Sequence, residues 1–229
     1  MGEDMKKTIV MVYDKAVISG GAAKIAIQSA VELAKNPDNN VIYFAANAEV
    51  DECLQSNDAI KVVCIDTPHI ANNKNKVKAS LYGIWNGQAK TEFTKLLSDL
   101  DPTHTVIHIH GWSKALSVSV VAVAQNMRFP VLITLHDYFA VCPNGGFFNY
   151  QKKELCHLKP MSWKCISCNC DKRSYFQKIW RCVRQTVQNR YVKNVKDMHF
   201  AYISNRILTL SQPYLKSTKF HYLRNPIDL

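Results

Sequence analysis

A chain of 229 residues is long enough to bury a full core as one α/β domain. Apolar residues make up 47% and charged residues 21%, which excludes intrinsic disorder, and no apolar run approaches the length of a membrane-crossing helix. The formal net charge of +11 favours polyanions, whether nucleic acid, anionic lipid or phosphorylated substrate, without choosing among them.

The start, Met1 to Lys7, is charged and runs straight into a strand pattern. It lacks the apolar core of a secretory signal, so the expected location is the cytoplasm. Thr8 to Tyr13 is a short β-branched apolar run and reads as a buried first strand. A Ser19-Gly20-Gly21 turn follows. Ala22 to Lys35 then has helical spacing and ends at the turn residues from Asn36 to Asn40. Val41 to Ala46 and Ile60 to Ile65 read as strands, and Ser80 to Leu97 as one helix. Thr105 to His110 is a strand stopped by Gly111, Lys114 to Met127 an Ala/Val-rich helix, and Val131 to Leu135 a strand closing on His136-Asp137. An irregular stretch from Ala140 to Lys172 interrupts the alternation. Ser174 to Val195 reads as a long helix with an inward stripe of Phe176, Ile179, Trp180, Val183, Val187 and Tyr191. His199 to Ile203, a helix over Asn205 to Lys216 broken near Pro213, and Phe220 to Leu223 complete the pattern. Strands alternating with helices, several of them apolar throughout, predict an α/β Rossmann-like, mostly parallel sheet with helices on both faces and one Cys-rich insertion.

In open parallel sheets ligands bind beyond the C-terminal strand ends. The residues to inspect are therefore Gly20 and Gly21 after the first strand, His110, Gly111 and Trp112 after the fourth, and His136, Asp137 and Tyr138 after the fifth. These three stretches are expected to share one rim of the sheet. A glycine turn that opens a helix lets backbone N–H groups approach an anion closely, and the helix dipole favours negative charge there. The segment is neither a dinucleotide fingerprint nor a Walker-type phosphate loop. Asn47 stands where an acidic ribose partner would be, so a nicotinamide enzyme is disfavoured. His136 projects from a rigid strand end, where an imidazole could donate to a sugar hydroxyl or a phosphate. Asp137 could orient it or contact an acceptor hydroxyl.

Of eight cysteines, Cys53, Cys64 and Cys182 are isolated and read as buried thiols. The other five are Cys142, Cys156, Cys165, Cys168 and Cys170. Such a cluster in a cytoplasmic chain points to metal before disulfides. The expected group is a structural zinc held by Cys142, Cys156, Cys165 and Cys170, with Cys168 as the alternative ligand. A closed thiolate site stabilises a loop and leaves no position for substrate.

Four stretches together resemble the N-terminal domain of family-4 retaining glycosyltransferases with the GT-B fold, in a bacterial subgroup that makes surface polysaccharides. They are Ser19 to Ala26, Thr105 to Trp112, Val131 to Tyr138 with the following Cys142 to Phe148, and Tyr222 to Asp228. The resemblance spans nearly the whole chain. It implies an acceptor-binding half that takes a saccharide or lipid-linked saccharide, with the nucleotide-sugar donor held by a C-terminal domain outside these residues. By that likeness Gly20 and Gly21 lie near the donor phosphates, His136 reaches toward the donor sugar or the acceptor hydroxyl, and His110 and Trp112 line the acceptor cleft. Ala23 departs from the pattern, which often has an acidic residue there. The half alone is expected to be inactive, because retaining transfer needs donor and acceptor in one closed cleft. Lys178, Arg181, Arg184, Arg190 and Lys193 on the long helix suggest contact with an anionic membrane surface, peripheral on the inner face of the plasma membrane. The competing class is a zinc-stapled basic module that binds nucleic acid. It lacks the interleaved aromatic and basic motifs of single-strand platforms.

Overall fold

The computed structural model describes residues 6–67, 69–71, 75–195, 198–217 and 219–224. Asn225 to Asp228 of the last family-like stretch lie outside the described residues. The chain divides into two compact units, one reaching to Thr134 and including Arg224, the other Leu135–Leu223.

The first unit runs β1 (Lys7–Tyr13), α1 (Gly21–Ala34), β2 (Asn39–Ala45), α2 (Glu52–Gln55), β3 (Ile60–Cys64), α3 (Lys76–Ile84), α4 (Gly87–Ser98), β4 (Thr105–Ile109), α5 (Ser119–Asn126) and β5 (Val131–Leu135), whose last residue opens the second unit. The strands are parallel in the order β3-β2-β1-β4-β5. This is the α/β Rossmann-like sheet that the alternating pattern predicts. Consecutive strand residues point to opposite faces. Met11, Val41, Tyr43 and Ala45 pack with Ala23, Ala26, Ile27 and Ala30 of α1. Phe44, the neighbour of Tyr43, meets Phe93 of α4 instead, with ring centroids 4.7 Å apart. Helices α1 and α4 therefore cover opposite faces, which is why both parities of β1 and β2 are apolar. Ala23 is fully buried in this contact, so the acidic residue of the family pattern would have no room there.

The predicted helix from Ser80 to Leu97 is two helices. Asn86 breaks it: its side chain caps α4 by accepting from Ala89 N and donates to Ala115 O at 2.8 Å. The predicted helix from Lys114 starts only at Ser119. The amides of Lys114, Ala115 and Leu116 are taken by the Asp14 carboxylate at 2.8–2.9 Å, and Ser117 has a φ of 64°.

The second unit holds a short antiparallel hairpin, β6 (Phe148–Asn149) with β7 (Glu154–Leu155). It continues through α6 (Trp163–Ser167), α7 (Tyr175–Tyr191), β8 (His199–Tyr202), α8 (Asn205–Ser211), a 3-10 turn over Gln212–Tyr214, and β9 (Lys219–Tyr222), parallel to β8. Aromatic pairs step along this strand pair: His199 with His221, Phe200 with Phe220 and Tyr202 with Tyr222. The predicted irregular stretch thus contains a hairpin and a short helix.

Helix α7 is rotated from its expected orientation: of the predicted inward stripe, Trp180, Val187 and Tyr191 are half-buried and the other three face outward. Phe176 is 88% exposed, and Val183 and Ile179 are exposed too, whereas Lys178, Arg184, Gln185 and Gln188 are buried. Each buried polar group has a reason to be inside. Gln185 Nε2 donates to Ala140 O at 3.2 Å, and Gln188 Nε2 donates to Phe139 O at 2.7 Å. The Arg184 guanidinium lies 4.3 Å over the Phe139 ring, and Lys178 Nζ donates to Cys165 Sγ at 3.5 Å. Arg181 forms a 2.8 Å ion pair with the buried Asp171. The helix is fastened to the turn after β5 by its polar side, and its apolar side faces outward.

Candidate functional site

In the first unit the polar rim is built on the ends of β1 and β4. Gly20 caps α1 with φ 152° and ψ 175°, a region essentially reserved for glycine. Gly20 and Gly21 are exposed, and a Cβ added to either would meet nothing within 4 Å. The backbone here has open space above it at a helix N-terminus, as an anion-accepting turn needs. The loop leading into it is held from beneath: Asn47 Oδ1 accepts from Ala16 N at 2.9 Å and Asp51 Oδ2 from Ile18 N at 3.4 Å. Asn47, which occupies the expected ribose-partner position, is thus an anchor of this loop.

Gly111 has a packing reason of its own. A Cβ there would stand 2.8 Å from the Tyr13 ring. The side chains of His110 and Trp112 are both buried, 5% and 6% exposed. His110 lies against His108, with ring centroids 4.2 Å apart, and His108 Nε2 is 2.8 Å from Thr134 Oγ1. The segment from Gly111 to Ser117 hangs on Asp14, which accepts from three successive backbone amides. Asp14 is an anchor of this loop that sequence reasoning missed. A lone acidic residue directly after a buried strand was the available signal.

In the second unit His136 directly follows β5 and is half-buried. Loss of hydration pushes its pKa down to about 4. The imidazole is therefore neutral at physiological pH. A neutral ring can donate one hydrogen bond and accept another, which suits a hydroxyl better than it suits a charge role. Asp137 is exposed, and its Oδ1 accepts from Phe139 N at 2.8 Å, closing a tight turn. Tyr138 packs edge-on against Phe147 at 5.3 Å, and its carbonyl accepts from Val141 N and Cys142 N. Gly145 has a φ of +75°, and a Cβ there would stand 2.5 Å from the Phe139 ring. Gln185, Gln188, Arg184 and Gly145 thus fix the turn that carries His136, Asp137 and Tyr138. Gln185 and Gln188 were not singled out from sequence, and Arg184 was read there as a surface cation, because a buried polar helix face looks like a solvated one.

The zinc expectation gains no support. Among the described residues no group of three or more His, Cys, Asp or Glu side chains is placed to hold a metal ion. Four of the five thiols meet polar side chains instead. Cys142 Sγ donates to Asn144 Oδ1 at 3.4 Å, and Asn144 Nδ2 donates to Cys170 Sγ at 3.2 Å. Lys178 meets Cys165, and Asn149 Nδ2 donates to Cys168 Sγ at 3.7 Å. Burial pushes the thiols of Cys156 and Cys170 up, which favours the protonated form. Amides hold the loop: Asn144 Nδ2 to Phe148 O at 2.9 Å and Gln151 Nε2 to Asp171 O at 2.7 Å. Cys156 and Cys168 line a groove of about 500 Å³ with Asn149, Glu154 and His157. Of the isolated cysteines Cys182 is buried as expected, Cys64 is half-buried and Cys53 is exposed.

The basic edge expected on α7 is also mostly absent from the surface. Lys178 and Arg184 are buried and Arg181 is paired, which leaves Arg190 exposed and Lys193 half-buried. Among the described residues no helix is long and apolar enough to cross a membrane.

No family profile matches the chain, and no curated protein matches it by sequence. Solved structures do. The protein LpCGTa in complex with UDP is 8% identical, with a TM-score of 0.55, over 97% of this chain and 53% of its own. A UDP-glucosyltransferase from Polygonum tinctorium, capable of glucosylating indoxyl and solved with 3,4-dichloroaniline, is 10% identical, with a TM-score of 0.49, over 97% of this chain and 53% of its own. The chain spans about half the length of these proteins. What it shares with the UDP-bound structure is the α/β fold.

Proposed function

We propose that this chain is the acceptor-side half of a nucleotide-sugar-dependent glycosyltransferase of the GT-B type. One observation carries the reading: nearly the whole chain superposes on about half of a UDP-bound protein, at identity so low that only the fold is held in common. The open, exposed turn at Gly20 and Gly21 supports it, since it suits donor phosphates. The neutral imidazole of His136 supports it as well, since it suits a sugar or acceptor hydroxyl. In this reading His136, Asp137 and Tyr138 of the second unit touch the reacting sugar and the acceptor, and within the first unit His110, Gly111 and Trp112 shape the loop offered to the acceptor. The donor is a nucleotide sugar bound mainly by a second domain. The finer reading is transfer with retention to a saccharide or lipid-linked saccharide in cell-surface polysaccharide synthesis, and it rests on the four family-like stretches.

The test is a transfer assay. The 229-residue chain, given radiolabelled UDP-glucose, UDP-galactose or UDP-N-acetylglucosamine with a saccharide mixture, should release no labelled glycoside. The same chain extended by its natural continuation should do so. Turnover by these residues alone would overturn the half-enzyme assignment, and an extended protein inert with every nucleotide sugar would overturn the transferase reading.

A further inference from the structure

The outward side of α7 is a surface of unusual composition. Tyr175, Phe176, Ile179, Val183, Thr186 and Arg190 are all exposed. At about 100° per residue they share one arc roughly 100° wide. Its first two turns are apolar: Phe176 is 88% exposed and Val183 48%. The adjoining α6 adds Trp163, 79% exposed, and is tied to α7 through Tyr175 Oη donating to Ile166 O at 3.3 Å. An apolar helix face of this kind belongs inside a fold, and here the polar face has taken that place.

Charge says what the surface suits. From Lys152 to Lys193 the sequence has eleven Lys/Arg residues against Glu154 and Asp171. Lys178 and Arg184 are buried, and Arg181 and Lys152 are paired, with Asp171 and with Glu154 at 3.9 Å. Lys152, Lys153, Lys159, Lys164, Lys172, Arg173 and Arg190 remain exposed. Lys164 is adjacent to Trp163, and Lys172 and Arg173 directly precede the first turn of α7. Exposed aromatic and aliphatic side chains bordered by lysine and arginine fit the boundary between lipid headgroups and acyl chains. Nucleic acid would satisfy the cations, but it offers nothing to an aliphatic face of Ile179 and Val183.

We propose that the α6–α7 surface of the second unit, led by Trp163, Phe176, Ile179 and Val183 and flanked by exposed lysines and arginines, docks on an anionic lipid bilayer. The helix lies in the plane of the interface. Its inward polar side keeps hold of the turn after β5, so docking needs no rearrangement of that turn. This inference stands apart from the transferase reading, because it needs neither donor nor acceptor.

Co-sedimentation tests it, with vesicles of phosphatidylcholine and of phosphatidylcholine mixed with phosphatidylglycerol. The chain should partition at least tenfold more strongly onto the anionic vesicles. F176S/I179S/V183S should lose at least tenfold of that binding while keeping its circular dichroism and melting temperature. Trp163 emission should shift to the blue and be quenched by brominated acyl chains, and W163F should remove that quenching. Equal partition onto both vesicle types, or a triple variant that binds like the parent, would overturn the proposal. So would a concentration-dependent dimer abolished by the same triple substitution, since a second copy would then cover the face. Saturable binding of an oligonucleotide with no vesicle binding would do the same.

Discussion

The guanidinium of Arg184 stands 4.3 Å over the ring of Phe139, inside the second unit, on the helix face that sequence periodicity assigns to solvent. Arg184 also lies 5.0 Å from the Trp180 ring and is 6% exposed. A cation held between two aromatic rings is a packing element as much as a charge. Arg184→Ala should cost about 2 kcal/mol in chemical denaturation. Phe176→Ser, on the side that periodicity assigns to the core, should change stability by less than about 0.5 kcal/mol. Equal costs for the two would contradict the orientation of α7.

Glycines separate into those that need their backbone and those that need their space. Gly145→Ala meets both obstacles, a φ of +75° and the Phe139 ring, and should destabilise by roughly 2 kcal/mol or more. Gly21→Ala opens α1 into empty space and should be neutral or stabilising by up to about 1 kcal/mol. Thermal melts of the two variants side by side check the contrast.

The burial of His136 makes stability depend on pH with a definite sign. Its folded pKa of about 4 lies below the ordinary histidine value of 6.5, so the unfolded chain binds the proton more readily. The neutral ring's contribution is complete above pH 6.5 and is lost as pH falls toward 4, by up to about 3 kcal/mol. Urea denaturation of the parent and of His136→Gln at pH 7 and pH 4.5 should show a smaller drop in the variant. An NMR titration placing the imidazole midpoint near 6.5 would contradict the burial.

Asp14 supports the loop after β4 by accepting from Lys114 N, Ala115 N and Leu116 N. Asp14→Ala leaves three amides without their acceptor and should cost about 3 kcal/mol or more. Asp14→Asn keeps one acceptor oxygen and should cost less. Hydrogen exchange at Lys114, Ala115 and Leu116 should quicken in both, and unchanged protection would count against the anchoring role.

Much of the fold was legible because burial on both sides writes itself into strands: β1, β2, β4 and β5 are apolar runs that need no partner information to read. Helix ends were less legible. Asn86 divides a helix and Asp14 delays another through contacts about thirty and a hundred residues away, and no local periodicity carries such contacts. The α7 face was misread because Gln185, Gln188 and Arg184 are polar in composition but are held inside by carbonyls and a ring. Of the candidate site, the positions of Gly20, Gly21 and His136 followed from the rule that ligand groups sit at strand ends. The neutrality of His136 did not, since desolvation depends on what surrounds the ring. The cysteine spacing suggested a metal, which gains no support from the described residues, where Asn144, Asn149 and Lys178 meet the thiols of Cys142, Cys165, Cys168 and Cys170.

The acceptor-side assignment is tested most directly by saturation-transfer NMR of this chain with a panel of neutral and lipid-linked saccharides. Saturable saccharide contacts are expected, weakened at least tenfold by His136→Ala and unchanged by Phe176→Ser. Absence of saccharide contact at millimolar ligand, or a His136→Ala variant that binds as the parent does, would contradict it.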